Sequence, residues 1–187
     1  CERCVAGLPW LGPACLRCAM PLPFAHPPGA ARGACQATPP PLDQVHAAYL
    51  YAAPLDRLVP RFKFHRDLAA GRLLSQLMAE RFEPLPRPEA LVPVPLHRAR
   101  LRQRGYDQAL ELARPLAQVL GVPLRPGLLR RVRATAAQSE LDREARSRNL
   151  RDAFRASPAA MPRRVVLVDD VMTTGATLHA AARALRR

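Results

Sequence analysis

The chain has 187 residues, 49% apolar and 24% charged, with 29 basic against 15 acidic side chains and a formal net charge of +14. So apolar a chain can bury a core, which excludes wholesale disorder, and no uncharged apolar run reaches the ~18 residues that a membrane-spanning helix needs. No sequence period recurs, which excludes collagen, coiled coil and tandem repeat. The expectation is a soluble globular protein with one medium domain and a small satellite. Of the basic residues 28 are Arg and one, Lys63, is Lys, a palette that points to coding bias behind part of the charge. Its distribution is more telling. Up to Val92 there are 10 basic and 7 acidic residues; from Pro93 onward there are 19 and 8. A basic second half attracts phosphates, whether on nucleic acid, nucleotide or sugar.

In chain order, the first feature is a set of five cysteines within 35 residues: Cys1-x2-Cys4, Cys15-x2-Cys18, and Cys35 alone. Two CxxC steps can aim four thiolates at one tetrahedral Zn²⁺, so Cys1, Cys4, Cys15 and Cys18 are the expected metal ligands. A metal would also hold together a Pro- and Gly-rich segment too poor in apolar side chains to fold unaided. Disulfides in a secreted protein, or a redox CxxC, are the competing readings. Cys35 reads most simply as a free thiol. Pro39-Pro40-Pro41 is a stiff break, and the expected domains are 1–42, a Cys-rich zinc module, and 43–187.

After the break, Val45–Tyr51 reads as a strand, and Leu68–Phe82 as a helix with Leu73, Leu74, Leu77, Met78 and Phe82 on one face. Leu91–Val94 reads as a short buried strand. Asp107–Leu120 reads as a helix kinked at Pro115, with Leu110, Ala113, Ala117 and Leu120 in register. Arg130–Arg148 has no convincing period and reads as a long Arg-rich loop with a helical patch. Val165–Val168 is an uninterrupted buried strand, followed by a turn and a helix to Arg187. Strands alternating with helices predict an α/β fold, a parallel sheet covered by helices.

Chemistry concentrates at the last strand. Asp169 and Asp170 sit at its carboxyl end, where ligands bind in this class of sheet. Thr173, Thr174, Gly175, Ala176 and Thr177 then offer backbone N–H groups and three hydroxyls to one phosphate at a helix start. Gly175 permits the tight turn. A phosphate at one end and carboxylates for a vicinal diol at the other describe a ribose 5-phosphate.

The stretch Val165–Thr177 resembles, at every position, the 13-residue signature of the type I phosphoribosyltransferases. More of the chain is similar to one branch of that superfamily, the ComF (competence protein F) family. The shared features are the cysteine module, Pro39-Pro40-Pro41, Phe62-Lys63-Phe64-His65, Val92-Pro93-Val94-Pro95-Leu96, Arg102-x-Arg104-Gly105-Tyr106-Asp107-Gln108, and Thr135-x2-Gln138-x2-Leu141-x4-Arg146-x2-Asn149. The chain departs from the family in having Asp at 107, where Asn is usual, and Arg32-x2-Cys35 where a CxxC is usual.

The resemblance implies a type I phosphoribosyltransferase-like fold with an N-terminal zinc-ribbon-like module. It further implies binding of 5-phosphoribosyl 1-pyrophosphate with Mg²⁺, attacked at C1 as pyrophosphate leaves. Asp169 and Asp170 are then the catalytic candidates, and Thr173–Thr177 the phosphate loop. Leu96, His97 and Arg98 follow a strand in the place of a pyrophosphate loop, with Lys63 and Arg104 as further candidates for that anion; a surface lysine is the plain alternative for Lys63. Arg102, Arg104 and the 130–148 segment would form a lid or simply a solvated loop. The family also implies natural competence, single-stranded DNA and a helicase-like translocase as partners, and a bacterial cytoplasm. An active enzyme with an unidentified acceptor, and a non-catalytic zinc-ribbon DNA-binding adaptor, are the rival functions. Against a DNA-stacking surface, aromatics make up only 5% of the chain.

Overall fold

The computed structural model describes residues 1–23, 26–27, 29–82, 84–134, 150, 152–158 and 161–187. They form two compact units, Cys1–Pro60 and Arg61–Arg187. This division lies after Pro60, whereas the sequence reading puts the domain boundary after residue 42.

In the first unit, α1 (Glu2–Ala6) and α2 (Gly33–Ala37) are single short turns joined by irregular chain. Trp10 organises one side of it. Its indole stands 4.6 Å from the Tyr49 ring, and its Nε1–H donates to Val5 O at 2.8 Å. The expected strand Val45–Tyr51 is not a strand. Its backbone is spent on irregular pairing with the cysteine segment: Val45 N–H donates to Leu16 O at 2.7 Å, Leu50 N–H to Pro9 O at 2.8 Å, and Tyr49 makes a single bridge to Trp10. A segment needs a partner of regular register to be a strand, and this one meets a loop.

α3 (Leu55–Phe64) runs across the division, so Arg61–Phe64 belong to the second unit. Next comes α4 (Leu68–Phe82), with the predicted bounds, opened by Asp67 Oδ1 accepting from Ala70 N–H at 2.9 Å. Leu74 and Leu77 face inward as expected, but Leu73 is exposed, because the buried stripe runs through Ala70, Gly71, Leu74, Ser75 and Leu77 instead. Gly71 is there for a reason of space: a Cβ would collide with the fully buried Phe62 ring.

β1 (Ala90–Pro93) is buried at all four positions and pairs in parallel with β4 (Val165–Val168), in the register Ala90↔Val165 to Pro93↔Val168. Between them the chain forms α5 (Arg98–Arg104), α6 (Gln108–Leu120), a 3₁₀ turn (Pro126–Leu128), and the antiparallel pair β2 (Leu129–Arg131) and β3 (Phe154–Ala156). α6 continues through Pro115 and ends on Gly121, whose φ of +61° closes the helix. Against α6, the buried Ser75 hydroxyl donates to Leu112 O at 2.7 Å. α7 (Ala176–Leu185) follows β4 and lays Ala180, Ala181 and Ala184 on Val92, Leu129, Leu150 and Phe154 to make the core.

This is the expected α/β architecture with a parallel pair flanked by helices. Two local readings differ. Arg130 and Arg131 lie in a strand rather than a loop, while residues 135–149 fall outside the described residues and with them most of the lid candidate and the Thr135–Asn149 motif. β4 is less buried than its aliphatic run predicts: Val168 is buried but Val166 is 42% exposed, since no described element covers that side chain.

Candidate functional site

The register of β1 on β4 fixes the site's floor. Val94 N–H donates to Val168 O at 2.9 Å, so both strands end together, and the segments that leave them start at one edge. From β4 emerge Asp169 and Asp170. Each carboxylate turns back on its own chain: Asp169 Oδ1 accepts from Asp170 N–H at 2.9 Å, and Asp170 Oδ1 from Val171 N–H at 2.7 Å. Such local bonds hold short acidic side chains in fixed directions.

Lys63 meets this pair. Its ammonium lies 2.9 Å from Asp170 Oδ1, with side-chain exposures of 25% for the lysine and 9% for the aspartate, so the ion pair is largely withdrawn from water. The surface-lysine alternative therefore does not describe its position. The Asp169 carboxyl is deeper still, although part of the residue remains accessible. Burial first, and then the neighbouring Asp170 and Asp107 charges, push its pKa up to about 8, against the lowering effects of the Asp170 N–H and the Lys63 charge.

Beyond the acids, the chain makes the turn that Gly175 was expected to permit. Gly175 has φ +76°, and a Cβ there would lie 2.7 Å from Met172 Cε and 2.9 Å from His179 Nε2. The positive φ favours glycine, and any larger residue would also have to push the Met172 and His179 side-chain ends aside. The next residue starts α7, and Thr174 Oγ1 takes the Ala176 N–H at 3.4 Å. Thr177 stands in the first turn of the helix, whose opening N–H groups have no carbonyl one turn back. The predicted loop, Thr173–Thr177, is thus a tight turn into the positive end of a helix.

From β1 emerge Pro95, Leu96 and His97. Leu96 N–H donates to Asp107 Oδ2 at 2.8 Å, while Asp107 Oδ1 accepts from Leu110 N–H at 3.1 Å. One carboxylate therefore ties the candidate pyrophosphate segment to the start of α6. Burial pushes the Asp107 pKa up, Asp170 adds to the rise, and the Leu96, Leu110 and Ala109 amides oppose it. His97 caps α5, its Nδ1 accepting from Ala99 N–H at 3.3 Å, and Arg98 is the exposed first residue of that helix. Arg104, at the far end of α5, sets its guanidinium 5.2 Å from the Phe64 ring centre, next along the chain from Lys63. Sequence reasoning overlooked Asp107 as a clamp, although an Asp directly before a helical pattern is an N-cap signal. It reads Arg131 only as part of the 130–148 lid or loop. That residue's charge is felt by Asp169 and Asp107, while burial, and then Arg100, push its own pKa down.

The cysteines regroup. Cys15, Cys18 and Cys35 bring their Sγ atoms within 4.8 Å of one another, the group of potential metal ligands found among the described residues. Cys35 is therefore not a solitary thiol. The chain returns to Cys15 through Leu16 N–H on Ala30 O at 3.0 Å and Arg32 N–H on Cys15 Sγ at 3.3 Å, which carries α2 and Cys35 to the first CxxC loop. Cys1 and Cys4, expected in the shell, form a separate exposed pair with Sγ atoms 3.4 Å apart. The regrouped set suits zinc: sulfurs 2.3 Å from one tetrahedral ion stand about 3.8 Å apart. Burial works against the Cys15 thiolate, yet the Arg32, Arg17 and Cys18 amides and the Cys18 thiol bring that pKa down to about 7. Burial and the Cys18 and Cys15 sulfurs push Cys35 up to about 11. A cation among these thiols would favour the deprotonated form of all three.

Comparison with known proteins agrees with this geometry. Residues 107–187, from the Asp107 clamp through α7, match the family described as phosphoribosyl transferase domain. The chain is 38% identical over 193 residues to DNA utilization protein YhgH of Salmonella typhi, covering all of this chain and 84% of that protein. It is 38% identical over 164 residues to competence protein F of Haemophilus influenzae, covering 83% and 72%. It is 30% identical over 146 residues to competence protein ComFC of Bacillus subtilis, covering 77% and 58%. No solved structure matches. With a phosphoribosyltransferase-type fold, an N-terminal cysteine cluster, and relatives aligned over nearly its whole length, the chain belongs to the ComF family.

Proposed function

We propose that the chain binds 5-phosphoribosyl 1-pyrophosphate at the carboxyl ends of β1 and β4 and serves the uptake and use of external DNA. The observation that carries the first half is the Lys63–Asp170 pair at 2.9 Å, beside an Asp169 whose pKa burial and the Asp170 charge push up. Here two carboxyl groups and a compact cation meet, and the chain runs on from them through the Gly175 turn into a helix start. In this reading the loop into α7 takes the 5-phosphate through backbone N–H groups. Asp169 and Asp170 hold the ribose hydroxyls. Lys63 turns from Asp170 to the pyrophosphate, where the Leu96–Arg98 segment, braced by Asp107, supplies further donors. Mg²⁺ would accompany the pyrophosphate, with Asp169 and Asp170 as the site's carboxylates that could hold it directly or through water. Bound there, it neutralises charge on the leaving group. The chain's own contribution is positioning and electrostatics around C1.

The second half rests on the relatives, named for competence and DNA utilization, and on the charge excess from Pro93 onward, which suits single-stranded DNA. A helicase-like translocase is the partner that such a role calls for. Calorimetry with Mg²⁺ and 5-phosphoribosyl 1-pyrophosphate tests the binding: heat is expected from the native chain, none from Asp170→Ala, and at least tenfold weaker binding from Lys63→Met. Absence of heat from the native chain overturns the proposal. Pyrophosphate release over a panel of acceptors then separates an active transferase from a binding protein.

A further inference from the structure

The cysteine cluster is one ligand short. Structural zinc fills a tetrahedron with four protein ligands, and Cys15, Cys18 and Cys35 supply three. Among the described residues no other Cys, His, Asp or Glu adds a ligand atom to the group. Cys1 and Cys4 lie outside this group, as exposed free thiols 3.4 Å from each other.

The position best placed to supply the fourth is 32. Its backbone N–H bonds Cys15 Sγ at 3.3 Å, so any side chain at 32 begins beside the sulfurs. It also precedes Cys35 by the same two-residue gap that separates Cys15 from Cys18. But residue 32 is arginine, whose guanidinium has donors only and no lone pair to give.

We propose that this chain holds its metal through three thiolates, Cys15, Cys18 and Cys35, and leaves the fourth position open to a small thiol from solution. The donor class follows from the site's softness: an ion already bound by three sulfurs takes a further soft donor in preference to oxygen. A fourth thiolate raises the negative charge of the centre, and the basic residues adjoining the ligands in the chain, Arg17 and Arg32, offset it. An open position makes the centre responsive to thiol concentration, unlike the closed shell of a purely structural site.

The test uses the full chain, purified with a phosphine reductant in place of thiols and loaded with Co²⁺, whose sulfur-to-metal charge-transfer band grows with the number of thiolates. The native chain should show a three-thiolate band. Millimolar 2-mercaptoethanol should raise it by about one-third and shift the visible bands, as a fourth sulfur completes the tetrahedron. Arg32→Cys should show the four-thiolate band without added thiol and respond no further. Cys1→Ser/Cys4→Ser should behave like the native chain. Four-thiolate intensity in the native chain without added thiol would overturn the proposal, as would a spectrum indifferent to thiol, loss of a sulfur in the Cys1/Cys4 variant, or failure to take up the metal.

Discussion

Burial pushes the Asp169 carboxyl towards its protonated form where the proposed ribose contact needs an acceptor. Asp169 titrates near 8 because burial and the Asp170 and Asp107 charges outweigh the help of Lys63. An aspartate whose folded pKa lies above its unfolded value of 3.8 keeps a proton on folding that the unfolded chain has released. Its contribution to stability is therefore fully present below about pH 4 and is lost as pH rises towards 8. Asp169→Asn cannot lose charge neutrality, so thermal unfolding should show its stability rising relative to the native chain across pH 4–8, and levelling above. A stability difference that does not change with pH would show that Asp169 is already ionised in the folded protein. The sign matters for function too. If a bound ribose needs the ionised carboxylate, ligand binding should release a proton near neutrality, which calorimetry in two buffers of different ionisation heat can count.

Among the elements, α4 and the end of α3 place Lys63. By helix propensity alone Gly71→Ala should stabilise α4 by about 1 kcal/mol. The structure reverses that sign, because the new methyl would collide with Phe62, a ring with no exposed surface. Overpacking of this kind costs about 1–3 kcal/mol, so a net loss of up to roughly 2 kcal/mol is expected in denaturant unfolding. Weaker ligand binding should accompany it, since Phe62 adjoins Lys63. A stabilised Gly71→Ala would show that the ring moves aside freely. This pairing also marks the limit of what the sequence reveals. α4, α6, β1 and β4 were legible because each carries a local signal: helical spacing of apolar residues or an aliphatic run. The loop at Gly175 was legible for the same reason. β2 and β3 were not, because three-residue strands containing arginine have no alternation to read and depend on each other across a long insertion. Nor was Val45–Tyr51, whose strand-like composition meets no strand. The Lys63–Asp170 pair, the Asp107 clamp on Leu96 and the place of Cys35 beside Cys15 all join residues distant in the chain, and composition carries no information about such meetings.

On the scale of the molecule, the proposed function would set two kinds of anion against one excess of charge. A sugar pyrophosphate needs a few groups in fixed positions: the turn at Gly175, Lys63, and the Asp107-braced segment. A DNA strand needs none of these in particular. It needs many cations along a surface, and 19 of the 29 basic residues lie from Pro93 onward. The two modes should respond differently to the same perturbations. Binding of single-stranded DNA through its backbone displaces counterions, so contact with 6–10 phosphates would lower affinity by about 300-fold or more between 50 and 200 mM salt. Asp169→Ala should leave that binding unchanged, because the carboxyl reaches no phosphate, while 5-phosphoribosyl 1-pyrophosphate binding should be lost. Fluorescence anisotropy with a labelled oligothymidine across a salt series decides the matter. If DNA affinity ignores salt, the arginine excess is not what holds the strand, and the charge of this chain reflects its composition rather than its partner.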